Sequence, residues 1–140
     1  MNRQERMRLL KAAKRAQARA YAPYSGFQVG AAVLTARGRI YAGANVENSS
    51  YGLTICAERV AIFKAVNAGE RQIVALVVYT QTKGFTPACG ACLQVLSEFG
   101  KNPVVVLAGQ NGTREFRLRE LLRFGFRLAP VQPIRSRPCR

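Results

Sequence analysis

An α/β fold is what this 140-residue chain predicts, specifically a three-layer α/β/α sandwich around a five-stranded mixed sheet. Three observations carry that expectation. Apolar residues recur at helical steps of three and four in some stretches and form short β-branched runs in others. Three such runs fall in residues 29–33, 73–79 and 103–107, and turn signals lead into two further strands, 39–43 and 115–118. Their order, one helix and two strands followed by helices alternating with strands, suits a mixed sheet covered by helices on both faces.

Residues 2–20 read as an amphipathic helix, with Met7, Leu10, Ala13, Ala16 and Ala20 on one face and seven Arg or Lys on the others. It ends before Pro23, and Tyr21-Ala22-Pro23-Tyr24-Ser25-Gly26 has turn chemistry. Val29, Ala31 and Val33 mark the first strand, and Arg37-Gly38 turns the chain into the second, Arg39 to Gly43. Asn45 to Thr54 is small and polar, which predicts a surface loop of the kind that carries binding groups. Val60, Phe63, Ala65 and Val66 predict a largely buried helix from Cys56 to Ala68, closed by Gly69. Ile73 to Tyr79 reads as a central strand. A loop over 81–88 leads into a helix from Cys89 to Phe99, stopped at Gly100. The strand Pro103 to Leu107 follows, then a hairpin signal at Asn111-Gly112, a strand from Glu115 to Leu118 and a short helix near 119–123. The expected organisation is one domain over 1–128 and a basic Pro/Arg tail over 129–140.

The net charge of +15 invites a nucleic-acid reading, but its distribution weakens that reading. Residues 1–19 and 114–140 each contribute +6, whereas the stretch between them contributes +3. Arg-rich ends without interleaved aromatic platforms read as solvated faces, oligomer contacts or a tail, so specific nucleic-acid binding is not favoured. No run of 18 apolar residues and no apolar leader core is present, which predicts a soluble cytoplasmic protein without a membrane partner.

Chemistry concentrates in Cys56-Ala57-Glu58-Arg59 and Cys89-Gly90-Ala91-Cys92. The chain has no histidine, so sulfur and Glu58 must do the work. The spacing is similar to the zinc deaminase pattern, H-x-E followed by P-C-x-x-C, with Cys56 in place of His and the glutamate as proton carrier. Three protein ligands leave zinc an open position for water, unlike a closed structural site. A C-x-x-C pair also occurs in redox proteins and four-ligand zinc knuckles, and Cys139 could complete a four-thiol site or stand as a free tail thiol. All three candidate ligands fall at predicted helix N-termini, which favours thiolate. Three thiolates around one Zn²⁺ carry a formal charge of −1, and Arg59 is the nearest candidate for charge compensation at the metal.

Read together, Tyr24-Ser25-Gly26-Phe27, Val29-Gly30-Ala31-Ala32, Asn45-Val46-Glu47-Asn48, Cys56-Ala57-Glu58-Arg59 and Cys89-Gly90-Ala91-Cys92-Leu93-Gln94 resemble the small, tetrameric class of cytidine deaminase over residues 7–127. The resemblance implies one zinc per subunit, a homotetramer with shared active sites, and hydrolytic conversion of cytidine or deoxycytidine to uridine or deoxyuridine with release of ammonia, a step of pyrimidine salvage. Cys56, Cys89 and Cys92 match the zinc ligands and Glu58 the proton shuttle. Phe27, Asn45 and Glu47 match nucleoside-holding residues, the last two through the sugar hydroxyls, and Ala57 matches a position whose backbone contacts the base. Tyr51 is a further candidate for the pocket. Phe126 matches an aromatic that a neighbouring subunit places against the pyrimidine. A carboxylate at Glu47 meeting the 3′-hydroxyl would repel the phosphate that an internal nucleotide carries there, which favours a free nucleoside.

Three positions depart from the family pattern. Ala88 separates Pro87 from Cys89; Leu93 stands where Arg is common; Arg123-Phe124 replaces a Pro-Gly or Pro-Ser pair, leaving the stacking residue open between Phe124 and Phe126. The alternatives to a nucleoside deaminase are a deaminase acting on a polynucleotide or on a blasticidin-like nucleoside, and a non-enzymatic zinc-stabilised nucleic-acid-binding module.

Overall fold

The computed structural model describes residues 1–129; Cys139 and nearly all of the expected tail lie outside the described residues. Helix α1 spans Arg3–Gln17, strand β1 Val29–Thr35, strand β2 Ile40–Ala44 and helix α2 Ala57–Asn67. Strand β3 follows over Ile73–Thr80, helix α3 over Gly90–Phe99, β4 over Val104–Gly109, β5 over Gly112–Arg117 and the one-turn helix α4 over Leu118–Leu121. The five strands form one sheet in the order β2-β1-β3-β4-β5. Only β3 and β4 run parallel, joined by the crossover that contains α3; the other neighbours are antiparallel.

The period-two alternation of strands sorts the apolar residues onto two faces. Ala31, Val33, Leu76, Val78, Val105 and Leu107 face a core completed by Ala57, Ala61, Ile62 and Ala65 of α2 and Cys92, Leu93 and Leu96 of α3. Their neighbours Ala32, Leu34, Ala75, Val77, Tyr79, Val104, Val106 and Ala108 pack with Leu9 and Ala13 of α1. Two helices on one face and one on the other make the expected three layers.

Helix α1 starts at a capping box in which Asn2 accepts from the Glu5 amide and the Glu5 carboxylate accepts from the Asn2 amide. Its buried stripe is Leu9, Ala13 and Gln17, which corrects the expected face: Met7 is 62% exposed. Gly30 sets this seating, because a Cβ there would run into the Ala13 carbonyl and the Gln17 backbone. Gln17 stays polar inside by donating to the Gln28 carbonyl at 3.3 Å. We predict that Leu9→Ala costs about 2–5 kcal/mol of unfolding free energy and Met7→Ala less than about 0.5 kcal/mol. Denaturant unfolding checks this, and the reverse ranking would contradict the observed face.

Other expectations shift by a residue or a face. Phe63, expected inside, lies on the outer face of α2 at 47% exposure, because Ala61, Ile62 and Ala65 form the inward stripe. In the β4–β5 hairpin Gly109 pairs with Gly112, so the turn residues are Gln110 and Asn111 rather than Asn111-Gly112. No non-glycine residue has positive φ among the described residues, and Gly112, at φ 126°, absorbs the bend that an Asn-Gly turn would have shared. The segment after β2 departs most from a surface loop. Val46 forms bridges with Tyr21 and Ile55, which turns Asn45 and Glu47 inward while Val46 is 49% exposed.

Candidate active site and metal centre

Cys56 is the residue before the first turn of α2 and Cys89 the residue before the first turn of α3; Cys92 lies inside that turn of α3. The two helix ends meet on one face of the sheet, so sulfur atoms 33 residues apart in sequence come within reach. Cys56 Sγ is 3.8 Å from Cys89 Sγ, Cys89 Sγ is 3.3 Å from Cys92 Sγ, and all three lie within 4.8 Å of one another. A disulfide needs about 2.05 Å, so no two of them are bonded. Sulfurs at about 2.3 Å from a tetrahedral Zn²⁺ would stand about 3.8 Å apart, which the Cys56–Cys89 separation matches. The donor set therefore fits zinc. Burial is graded, from exposed Cys89 through half-buried Cys56 to fully buried Cys92.

The protonation of this cluster also calls for a cation. The Cys56 thiol is pushed down to about 5, first by hydrogen bonding with Cys92, and further by Arg59 and Cys89 against the opposing effect of burial. Cys92 is pushed up, first by the same bond and then by burial, so that one sulfur gains its charge at the expense of the other. A divalent cation is what would let all three sulfurs give up their protons. Arg59 Nη2 donates to Cys56 Sγ at 3.5 Å.

Glu58 lies in the first turn of α2, 4% exposed. Burial is the main cause that raises its carboxyl to about 7; its own backbone amide lowers it, Cys56 raises it and Arg59 lowers it. A buried carboxyl two residues from one thiol is suited to exchange a proton with a small molecule held beside the sulfurs.

A second cluster forms around Asn45 and Glu47. Asn45 Oδ1 accepts from the Val29 amide and its Nδ2 donates to the Phe27 carbonyl, both at 2.8 Å. Glu47 accepts from the amides of Tyr24 at 2.9 Å and Ser25 at 3.2 Å and from the Ser25 hydroxyl. These bonds, the Ser25 hydroxyl first, hold Glu47 below the usual carboxylate range. The Phe27 ring is 42% exposed beside the cluster's backbone. Tyr51 is 63% exposed and meets the Tyr24 ring edge-on at 5.9 Å. Ala57 is fully buried at the start of α2.

The expected aromatic at the C-terminal end is tethered rather than packed. Gln94, two residues after Cys92, donates to the Phe126 carbonyl at 2.7 Å and accepts from the Phe126 amide at 3.0 Å. The Phe126 side chain is 69% exposed and that of Phe124 95%, and Phe124 has no comparable tether among the described residues. Ser25, Tyr24 and Gln94 fall inside the family-like motifs, and nothing in their residue types marks them as part of the site. Tyr24 and Ser25 contribute through backbone amides and one hydroxyl, and Gln94 through a side-chain amide that meets only backbone, pairings that residue type alone does not announce. Of the departures, Ala88 and Leu93 are both buried in the core between the sheet and α2–α3.

Residues 3–108 match the family model described as the cytidine and deoxycytidylate deaminase zinc-binding region. The chain belongs to that deaminase family. It is 48% identical over 120 residues to a cytidine deaminase of Halalkalibacterium halodurans, covering 84% of this chain and 91% of the relative. A cytidine deaminase of Sporosarcina psychrophila is 46% identical over 117 residues, with 82% and 86% covered. The crystal structure of cytidine deaminase from Burkholderia pseudomallei superposes with a TM-score of 0.83 at 45% identity, covering 90% of this chain and all of that one. That of Mycobacterium tuberculosis gives 0.75 at 39% identity, covering 87% and 97%. The family is a zinc family, and in this member the three-thiol cluster is the group that could hold the ion.

Proposed function

We propose that this family member catalyses the zinc-dependent hydrolytic deamination of cytidine and deoxycytidine to uridine and deoxyuridine with release of ammonia. The observation that carries the reading is the convergence of three thiols from two helix ends beside one buried carboxyl. Cys56, Cys89 and Cys92 hold one Zn²⁺ per subunit. When bound, the ion supplies Lewis acidity that brings a water's pKa toward neutrality. Glu58 takes a proton from the attacking water and delivers it to N3 of the pyrimidine as the water oxygen bonds to C4. It then takes the proton of the new C4 hydroxyl and gives it to the amino group, which leaves as ammonia while the C4 carbonyl forms. The Arg59 guanidinium offsets negative charge on Cys56, 3.5 Å away. Phe27 lies against the base, the Ala57 backbone meets its polar edge, Asn45 and Glu47 hold the sugar hydroxyls, and Tyr51 borders the pocket.

The domain is assigned to residues 1–128 and the remainder to a tail. The assembly is a homotetramer with shared sites, in which Phe126 of one subunit reaches the base bound by another. Supporting this, the Phe126 backbone is fixed by Gln94 while its ring is left exposed, and Val46, Leu53 and Phe63 add apolar surface of 49%, 65% and 47% exposure. Among the described residues no helix is long and apolar enough to cross a membrane. Thiol ligands suit a reducing compartment, which supports a cytoplasmic role in pyrimidine salvage.

The basic ends motivate the competing reading of a polynucleotide substrate. Comparing free cytidine with single-stranded DNA and RNA at two salt concentrations separates the two. The expected outcome is efficient nucleoside turnover with little salt dependence. Salt-sensitive turnover of polymer with none of cytidine would overturn the assignment.

A further inference from the structure

We propose that Ser25 is a positioning residue for the sugar end of the site, its hydroxyl setting the Glu47 carboxylate in the one orientation that accepts the nucleoside 3′-hydroxyl. This rests on the assignment of Glu47 to the sugar. A serine hydroxyl has a single proton and can accept as well as donate. The Phe27 amide donates to Ser25 Oγ at 3.0 Å, and the hydroxyl proton goes to Glu47 Oε1. The other carboxylate oxygen, Oε2, takes the Tyr24 and Ser25 amides. An ionised carboxylate offers about four acceptor directions. Two are taken on Oε2 and one on Oε1, which leaves room for one further donor, on Oε1.

The left-handed Gly26, at φ 68°, makes the turn that brings these donors together, and a side chain there would be strained. Ser25 thereby links the backbone of Phe27, on the base side, to Glu47, on the sugar side. Without its hydroxyl, Oε1 has no donor among the described residues and the carboxylate can rotate about the two amides on Oε2. The lowered pKa of Glu47, with the Ser25 hydroxyl as its first cause, keeps the group an acceptor.

Steady-state kinetics of the zinc-loaded enzyme with cytidine and 3′-deoxycytidine test the proposal. Ser25→Ala should raise the KM for cytidine about tenfold, the scale of a hydrogen bond to a charged group, and leave kcat within about twofold. The KM for 3′-deoxycytidine should stay unchanged, and Ser25→Thr should restore the preference for cytidine. If the alanine variant fails to fold, as judged by its unfolding midpoint, Ser25→Cys keeps the side chain's size with a weak donor and should lose most of the preference. Equal KM increases for both nucleosides, or no change for either, would overturn the role of Ser25 alone. If the wild type and Glu47→Gln both treat the two nucleosides alike, the sugar assignment of Glu47 falls, and this proposal with it.

Discussion

Glu58→Gln is expected to lower kcat for cytidine by about a thousandfold or more while the chain keeps its full complement of zinc. Glutamine preserves the size and hydrogen-bonding reach of the side chain in a position that is only 4% exposed, so packing in the first turn of α2 is unchanged. What it removes is the exchangeable proton. Every step assigned to Glu58 is a proton transfer, and an amide cannot perform one at neutral pH. The thiols do not depend on the carboxylate: the sulfur separations are fixed by the two helix ends, and Arg59 remains beside Cys56. Metal analysis together with initial rates reads both outcomes. Undiminished turnover would remove the proton-carrier role, and loss of zinc would show that Glu58 is part of the metal's support.

Cys89→Ala should abolish both zinc binding and activity. Cys89 Sγ is 3.8 Å from Cys56 Sγ and 3.3 Å from Cys92 Sγ, so its loss removes one of the three donors and leaves zinc two protein ligands where a catalytic site uses three. Its sulfur also accepts from the Cys92 amide at 3.5 Å as the cap of α3, a contact that contributes about 1 kcal/mol in better donor–acceptor pairs. In the wild type, zinc stabilises the fold by mass action, about 2.7 kcal/mol at a free concentration 100 times its Kd. The wild-type Tm should therefore fall on chelation, whereas that of Cys89→Ala should be low and insensitive to chelator. A variant that retains one zinc per chain, or a wild type whose Tm ignores chelation, would contradict the assignment.

The layered sheet and the thiol cluster were legible in the residues because each leaves a strong local mark. Runs such as Ile73–Thr80 have few alternatives to a central strand, and two cysteine segments that each open a helix point to one shared cluster. The inward face of α1 was hidden because Met7 and Leu10 carry more apolar signal than Gln17. It is Gly30, on another element, that admits the Ala13–Gln17 edge. Asn45 and Glu47 looked like loop residues because their burial depends on partners 16 to 23 positions away, most of them backbone amides that no residue type announces. Ser25 was hidden for the same reason. Phe124 and Phe126 were indistinguishable as residues, and the Gln94 side chain separates them by tethering the second.

The most direct test of the central claim is zinc K-edge X-ray absorption on the protein as isolated, with the metal content measured on the same sample. The account predicts one zinc per chain, with three sulfur neighbours at about 2.3 Å and one light-atom neighbour that changes when a nucleoside analogue is added. Four sulfur neighbours unaffected by nucleoside, or cysteines 56, 89 and 92 found oxidised and without zinc, would contradict it.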